Sequence, residues 1–291
     1  MSLINFLAAR KASKLAAQHA ALTRTSTHES AEAARRELAA RRKLHFPNPL
    51  HTLRVFKEKD IGLLLFYNSI VYTAFYDISA STPYLFAQIY GFNDLQIGLS
   101  FIPFGVGCFI APVMNGYLLD WNFRRVARRA GIVVDKSRAM KLKDFPLERA
   151  RIDVAWPLVL MGAAAMLCYG WVLHEETSLA VPLVLQFIIG VCLTGSFNVM
   201  SVMLVDNYPM APSTATAANN FARCLMGAAG TAVIIEMING MGRGWCFTFI
   251  GLVVLCCSPS LWVLRKWGPG WREERRMREE AKKEMSAQSR P

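Results

Sequence analysis

The sequence predicts an all-α membrane protein with six transmembrane helices. Of its 291 residues, 53% are hydrophobic and only 19% are charged, whereas a soluble domain carries about a quarter charged residues. The charges are segregated, because long apolar stretches alternate with basic ones. A hydrocarbon core about 30 Å thick requires roughly 20 consecutive apolar residues in a helix, and six stretches meet this requirement. An apolar segment in lipid must satisfy its own backbone hydrogen bonds, which favours helices over strands.

The apolar stretches define six spans and leave three charged segments outside the membrane. The predicted spans cover residues 61–86, 95–119, 154–173, 181–205, 214–238 and 245–264. Residues 1–60 form a basic N-terminal tail with two open interpretations: a partly disordered segment, or in part a basic amphipathic helix on the membrane surface. Residues 120–153 form a loop between the second and third spans, and residues 266–291 form a charged C-terminal tail.

The distribution of Lys and Arg predicts the orientation of the chain. Of the 33 basic residues, 12 lie in residues 1–60, 10 in residues 120–153 and nine from Arg265 onwards, whereas the loops at the opposite ends of the spans carry only Arg243. By the positive-inside rule, both termini and the 120–153 loop are expected in the cytoplasm. Topology thus accounts for the net charge of +12. We expect the lipid bilayer as a partner and no nucleic acid.

The reactive side chains show no pattern of an enzyme or a metalloprotein. The seven cysteines lie in apolar stretches without CxxC spacing, and the five histidines lie outside the spans. The chain has no HExxH motif and no paired metal ligands or nucleophile within a span. We therefore expect no catalytic residue, no cofactor and no metal.

A family resemblance lies where the second span ends. The stretch Gly116-Tyr-Leu-Leu-Asp-Trp-Asn-Phe-Arg-Arg125 is similar to the signature G-x-L-x-D-R-x-G-R-K of the major facilitator superfamily of transporters. Trp121 and Phe123 stand where the signature has Arg and Gly. The alternative is an ordinary basic cytoplasmic loop. The resemblance implies a motif that gates the transporter between its conformations, formed by Gly116, Asp120, Arg124, Arg125 and Asp206.

The resemblance also implies contacts for these gating residues. Gly116 is expected to permit close approach of a neighbouring helix. Asp120 is expected to contact a helix of a second half that this sequence does not contain. Asp206 ends the fourth span and is expected to pair with Arg124 or Arg125, which would hold the inner ends of spans two and four together.

A second resemblance covers the start of the fifth span. Residues 215–224 read Ala-Thr-Ala-Ala-Asn-Asn-Phe-Ala-Arg-Cys, which is similar to the run A-T-A-x-N-N-x-x-R-C of the fungal drug:proton antiporter branch of this superfamily. The stretches at 90–93 and 243–249 resemble the same branch. The resemblance covers about residues 45–275 and equates the six spans with the family's seventh to twelfth, one half of the fold built as three plus three helices.

The resemblance implies a proton-coupled exporter of drugs or metabolites, with a small organic substrate and protons as partners, in the plasma membrane. One half lacks one wall of the substrate cavity. Three possibilities are open: two copies pair, a separate chain supplies the other half, or the product is shortened. The alternative function is a non-transporting membrane subunit or scaffold derived from a transporter half.

Polar and aromatic residues within the spans are the candidates for the substrate or proton pathway: Asn68, Tyr72, Tyr76, Asp77, Gln186, Asn198, Asn219, Asn220 and Arg223. Arg223 lies near the middle of span five, where a charge costs roughly 2.5–3.5 kcal/mol, so it either faces a cavity or packs against backbone carbonyls. Asp77 is either a proton or cation carrier or a residue of a water-filled outer vestibule. Tyr67 is expected on the same face as Asn68, and Glu236 at the outer interface.

Overall fold

The computed structural model describes residue 56 and residues 58–129, 147–208 and 212–288. No strand occurs in this part of the chain. Its helices are α1 Lys59–Tyr90, α2 Asp94–Ser100, α3 Ile102–Arg129, α4 Leu147–His174, α5 Ala180–Asn207, α6 Pro212–Met241, α7 Arg243–Cys257 and α8 Pro259–Gln288.

The helices form six units that are long and apolar enough to cross a membrane. Four are single helices, the second joins α2 to α3, and the sixth joins α7 to α8. The predicted all-α, six-span fold is therefore confirmed. The helices continue beyond the apolar stretches into polar sequence, and α8 runs through most of the predicted C-terminal tail. Nearly all of residues 1–60 and the middle of the 120–153 loop lie outside the described residues.

Local sequence explains the turn between the first two spans. Gly91 follows α1 with φ 64°, the left-handed conformation that glycine adopts without strain, and its N–H donates to the carbonyl of Phe86. Asn93 then caps α2. Its side chain accepts from the backbone of Gln96, and the Gln96 side chain accepts from the backbone of Asn93. This short turn reverses the direction of the chain between the first two spans.

The helices differ in how far the bundle buries them. In α1 and α5, 61% of the most apolar window is buried, against 22% in α2–α3 and in α6. Six of the exposed apolar residues of α3 follow one stripe with steps of three or four, which is one face of a helix: Ile102, Val106, Phe109, Val113, Tyr117 and Trp121. Thus α1 and α5 form the centre, whereas α3 and α6 each leave an apolar face uncovered.

Helices α3 and α5 make their closest approach through two glycines. A Cβ atom added to Gly107 would lie 2.5 Å from the carbonyl oxygen of Phe187, and one added to Gly190 would lie 2.7 Å from that of Phe104. Only a hydrogen fits in these spaces, so the two backbones meet directly, as at other small-residue contacts between membrane helices.

One end of the bundle is crossed by ion pairs. We call it the basic end: α1, α4 and α6 begin there, α3 and α5 end there, and α8 continues past them. Arg275 of α8 donates from Nη1 to both carboxylate oxygens of Asp60 at 2.8 and 2.7 Å, and from Nη2 to the carbonyl of Asn207 at 2.7 Å. Both members of the Asp60–Arg275 pair are buried, at 3% and 6% exposure.

Further pairs join α8 to α4 at the same end. Arg265 lies 2.7 Å from Asp153, and Arg272 lies 3.4 Å from Glu148, which is 1% exposed. Because the partners of α8 lie in the first turn of α1 and the first two turns of α4, its arginines hold these helix ends in fixed positions.

Candidate functional site

A groove of about 630 Å³ lies between α3, α5 and α6, nearer the basic end. The lining residues Asn198, Ser201 and Val205 of α5 are spaced by three or four positions, and Thr216 and Asn219 of α6 by three. Residues at these spacings lie on one face of a helix, and that face lines the groove. Its polar lining residues are Asn115, Asn198, Ser201, Thr216 and Asn219. The structure therefore places two of the predicted candidates, Asn198 and Asn219, in one groove.

A hydrogen-bonded network closes the side of the groove next to α1. Asn68 donates from Nδ2 to Oδ1 of Asn219 at 2.7 Å, and Asn219 donates from its own Nδ2 to the hydroxyl of Ser201 at 3.1 Å. Asn68 and Asn219 are 1% and 4% exposed. The network joins α1, α5 and α6 at one level of the bundle, so these three helices are held together beside the groove.

Arg223 lies one turn along α6 from Asn219, away from the basic end. Its guanidinium is 4.7 Å from the ring centroid of Tyr72 and 5.8 Å from that of Phe197. Nη2 donates to Oδ1 of Asn220 at 2.7 Å, and the buried Nε has no acceptor among the described residues. The ion pairs of the described residues do not include Arg223. It is thus a half-buried cation without a described counter-ion.

An aromatic cluster surrounds this arginine. The rings of Tyr72 and Tyr76 are 4.5 Å apart, and Tyr72 meets Phe197 edge-on at 5.7 Å. Tyr76 is 40% exposed, so part of the cluster reaches the uncovered side of the bundle. Tyr72, Tyr76 and Arg223 are therefore brought together, and Phe197 is a member that the sequence analysis did not select.

Asp77 is buried between α1 and α6, at 5% exposure. It faces Gly230, where an added Cβ would lie 2.8 Å from Oδ1 and 3.4 Å from Oδ2. Oδ1 has no hydrogen-bond partner among the described residues. Glu236, further along α6, is exposed. Of the two interpretations of Asp77, its burial in the bundle matches a carrier better than a residue in open water.

Two of the predicted residues face other parts of the bundle. Gln186 donates from Nε2 to the hydroxyls of Thr82 and Tyr169, both at 3.0 Å, so it ties α5 to α1 and α4 away from the groove. The placement of Tyr67 on the face of Asn68 is wrong. Its hydroxyl donates to the carbonyl of Val254 on α7 at 3.3 Å, because adjacent residues of a helix point about 100° apart.

The predicted gating residues of α3 are exposed. Arg124 lies 3.5 Å from Asp120, both are more than half exposed, and Arg125 stacks on Trp121 at 5.3 Å. An added Cβ at Gly116 would meet nothing within 4 Å. No helix of the described residues approaches Gly116 closely, so the close approach expected there stays a prediction.

The predicted pairing of Asp206 is wrong. Asp206 accepts from Arg151 of α4, with its carboxylate 2.9 Å from Nη2 and 3.1 Å from Nε. Because α4 begins at Leu147, before the apolar stretch, its second turn brings Arg151 beside the last turn of α5. The predicted partners Arg124 and Arg125 instead remain on the surface of α3.

Several residues at the site escaped the sequence analysis. Asn115 and Ser201 are polar residues within spans, a signal that could have selected them. Asn115 donates to the carbonyl of Gly195 at 2.8 Å. The described residues contain no group of three or more His, Cys, Asp or Glu side chains able to hold a metal ion. The site therefore offers a cation, a buried carboxylate, amides and aromatic rings.

The geometry defines an integral multi-pass membrane protein with a polar groove inside a helix bundle, and comparisons with known proteins specify its class. No family model matches the chain. The chain is 40% identical over 243 residues to the MFS-type transporter phiD of a fungal species, and 42% identical over 224 residues to the MFS-type transporter phiL of the same species. It is 38% identical over 234 residues to Citrate exporter 1 of Aspergillus niger.

These alignments cover 84%, 75% and 77% of this chain but only 37%, 53% and 44% of the respective relatives. With its six spans, the chain belongs to the major facilitator superfamily as a half of the transporter fold. Because its relatives are named as transporters, the prediction that it is not an enzyme is confirmed.

Proposed function

We propose that the chain provides spans seven to twelve of a secondary active transporter that exports small organic molecules in exchange for protons. The observation that carries the proposal is the groove between α3, α5 and α6, with Arg223 and the aromatic cluster beside it. It is supported by relatives named as MFS-type transporters and, in one case, as a citrate exporter. The groove would bind the substrate. The drug:proton antiporter branch and the plasma membrane are part of this proposal, as is the cytoplasmic position of both termini.

The proposal includes a second six-helix half that completes the cavity. The chain spans about half or less of the length of these relatives, and α2–α3 and α6 bury only 22% of their most apolar windows. The uncovered faces of α3 and α6 would pack against that half, which is a connected segment, a separate chain or a second copy. The exposed Asp120 of α3 would contact it, and rocking between the halves would expose the groove to each side in turn.

Asp77 would carry the proton. A buried charge without a partner is costly, and the ion pairs of the described residues do not include Asp77. Binding a proton removes that charge before the site is closed to water, and releasing it on the other side restores it. Substrate binding in the groove and proton binding at Asp77 would then favour different conformations, which is the requirement for coupled exchange.

The test uses protein purified from the membrane with any accompanying half and reconstituted into vesicles that contain a pH-sensitive dye. An imposed pH gradient should drive accumulation of a substrate from a panel of organic acids and amines, with matching proton movement. Asp77→Asn should abolish proton movement and retain substrate exchange at equal pH. Glu236→Gln removes an exposed carboxylate of α6 and should leave the coupling intact.

Two results would contradict the proposal. Full proton coupling in Asp77→Asn would exclude Asp77 as the carrier. Transport by the assembly that is indifferent to substitutions at both Asp77 and Arg223, while requiring the presence of the chain, would favour a non-transporting subunit or scaffold.

A further inference from the structure

We infer that the site around Arg223 binds organic anions, specifically small carboxylates with an apolar or aromatic body. This substrate class deepens the proposed function and rests on it. The geometry behind the inference is a mid-membrane guanidinium held between aromatic rings, without a carboxylate partner among the described residues.

Charge is the first argument. Six arginines of the described chain lie within 4 Å of a carboxylate outside their own helix: Arg151, Arg243, Arg265, Arg272, Arg275 and Arg278. Arg223 lies deeper in its span than these, where an uncompensated charge is most costly, and its ion pair is missing. A bound anion would provide the counter-charge.

Asp77 does not provide that counter-charge, because no ion pair of the described residues joins it to Arg223. Asp77 lies five residues beyond Tyr72 on α1, about 7.5 Å along the helix axis. Its contact on α6 is Gly230, which lies seven residues beyond Arg223, about 10 Å along that axis. The acid and the base therefore occupy separate levels of the bundle, and the base remains available to a ligand.

The orientation of the guanidinium suits a carboxylate. Tyr72 and Phe197 lie against the group at 4.7 and 5.8 Å, and Asn220 holds Nη2. Nε has no acceptor among the described residues. Stacking on aromatic rings leaves the edge of the planar group for hydrogen bonds, and a carboxylate can accept two of them in parallel.

The surroundings define the rest of the ligand. Tyr72, Tyr76 and Phe197 present ring surfaces to an apolar body, and the amides of Asn198 and Asn219 lie in the adjacent groove. The groove volume of about 630 Å³ falls within the usual range for small-molecule sites, roughly 300–1,000 Å³. A ligand whose carboxylate binds Arg223 and whose apolar body packs on the aromatic rings would contact both the cation and the cluster.

The experiment compares three probes that have nearly the same shape but differ in charge: benzoate is an anion, benzamide is neutral and protonated benzamidine is a cation. Succinate serves as an aliphatic anion. Thermal unfolding of the detergent-purified protein, with any accompanying half, is measured against probe concentration, because a ligand of the folded state raises the unfolding temperature. Benzoate or succinate should raise it, and benzamide and benzamidine should not. Arg223→Gln should weaken anion binding about tenfold or more, as for other charge-assisted hydrogen bonds, and Arg223→Lys should weaken it less.

A second variant tests the missing counter-ion without removing the arginine. Asn220→Asp places a carboxylate where the amide oxygen already lies 2.7 Å from Nη2, so it should compete with the anion and abolish the stabilisation. Asn239→Asp makes the same substitution near the far end of α6, where Asn239 accepts from Tyr84, and should leave anion binding unchanged.

The outcomes separate this inference from the proposed function. Stabilisation by benzamidine alone, failure of both anions to stabilise the wild type, or unchanged anion binding in Arg223→Gln and Asn220→Asp would each overturn the inference. Protein that binds anions at Arg223 but moves no probe in vesicles would keep the inference and refute transport. Vesicles that accumulate amines, with a protein that binds no carboxylate, would support transport and refute the inference.

Discussion

Two arginines in different regions of the bundle make opposite contacts. Arg275 at the basic end is buried and donates to both oxygens of Asp60 and to a backbone carbonyl. Arg223 at the aromatic cluster is half-buried, stacks on Tyr72 and donates only to the amide of Asn220. The first cation is neutralised by a carboxylate, whereas the second has no carboxylate partner among the described residues.

The comparison separates a structural from a functional charge by partners rather than by residue type. A buried ion pair fixes the helices that carry it, and removing one member leaves the other charge uncompensated. A cation that lacks a counter-ion contributes little to folding and remains available to a ligand. We therefore expect substitutions to lower stability most at the basic end, less in the amide network and least at Arg223.

The largest expected effect is that of Arg275→Ala. It leaves the Asp60 carboxylate, 3% exposed, without its cation, and should lower the free energy of unfolding by about 3–5 kcal/mol. Chemical unfolding in detergent micelles measures this difference. The control is Arg278→Ala, whose ion pair with Glu58 is 60% and 27% exposed and should contribute less than about 1 kcal/mol. Equal losses in the two variants would remove the distinction between buried and surface pairs.

An intermediate effect is expected for Asn219→Leu. The substitution leaves Asn68 without its 2.7 Å acceptor and removes the bond to Ser201, which should cost about 1–3 kcal/mol. Asn198→Leu is the control, because Asn198 lines the same groove and is only partly buried; its change should stay near 0.5 kcal/mol. A loss of unfolding free energy as large as that of Arg275→Ala would mean that the amide network stabilises the bundle as much as the buried ion pair does.

The smallest expected change in stability is that of Arg223→Gln. No ion pair of the described residues is broken, so the free energy of unfolding should change by less than about 1 kcal/mol. Transport in the vesicle assay should nevertheless be lost. If this substitution unfolded the protein or left transport normal, the assignment of Arg275 to stability and Arg223 to ligand binding would be wrong.

The architecture was predictable from the length and hydropathy of the apolar stretches. Each of the six is long enough to cross the bilayer, and in lipid its backbone hydrogen bonds can be satisfied within a helix. The polar residues Arg223 and Asn219 could be selected because their type is costly in a span. The contact partners of these residues could not be predicted, because the partners depend on how each helix is rotated and where it ends. Tyr67 lies next to Asn68 in sequence but faces α7.

Helix length decided the ion pairs at the basic end. Arg151 and Arg275 lie outside the predicted spans, in segments expected to be a solvated loop and tail. In the structure, both segments continue the membrane helices. Their charges therefore meet Asp206 and Asp60 instead of water, and apolar periodicity carries no information on such contacts.

The glycine contact between α3 and α5 has a mechanical consequence. With backbone against backbone at Gly107 and Gly190, neither helix can rotate or slide past the other without a collision, so the pair behaves as one stiff plate. The groove is bounded by this plate on one side and by α6 on the other. Any widening or narrowing of the groove within this half must therefore come from displacement of α6, which strains or breaks the hydrogen bonds of Asn219 to α1 and α5.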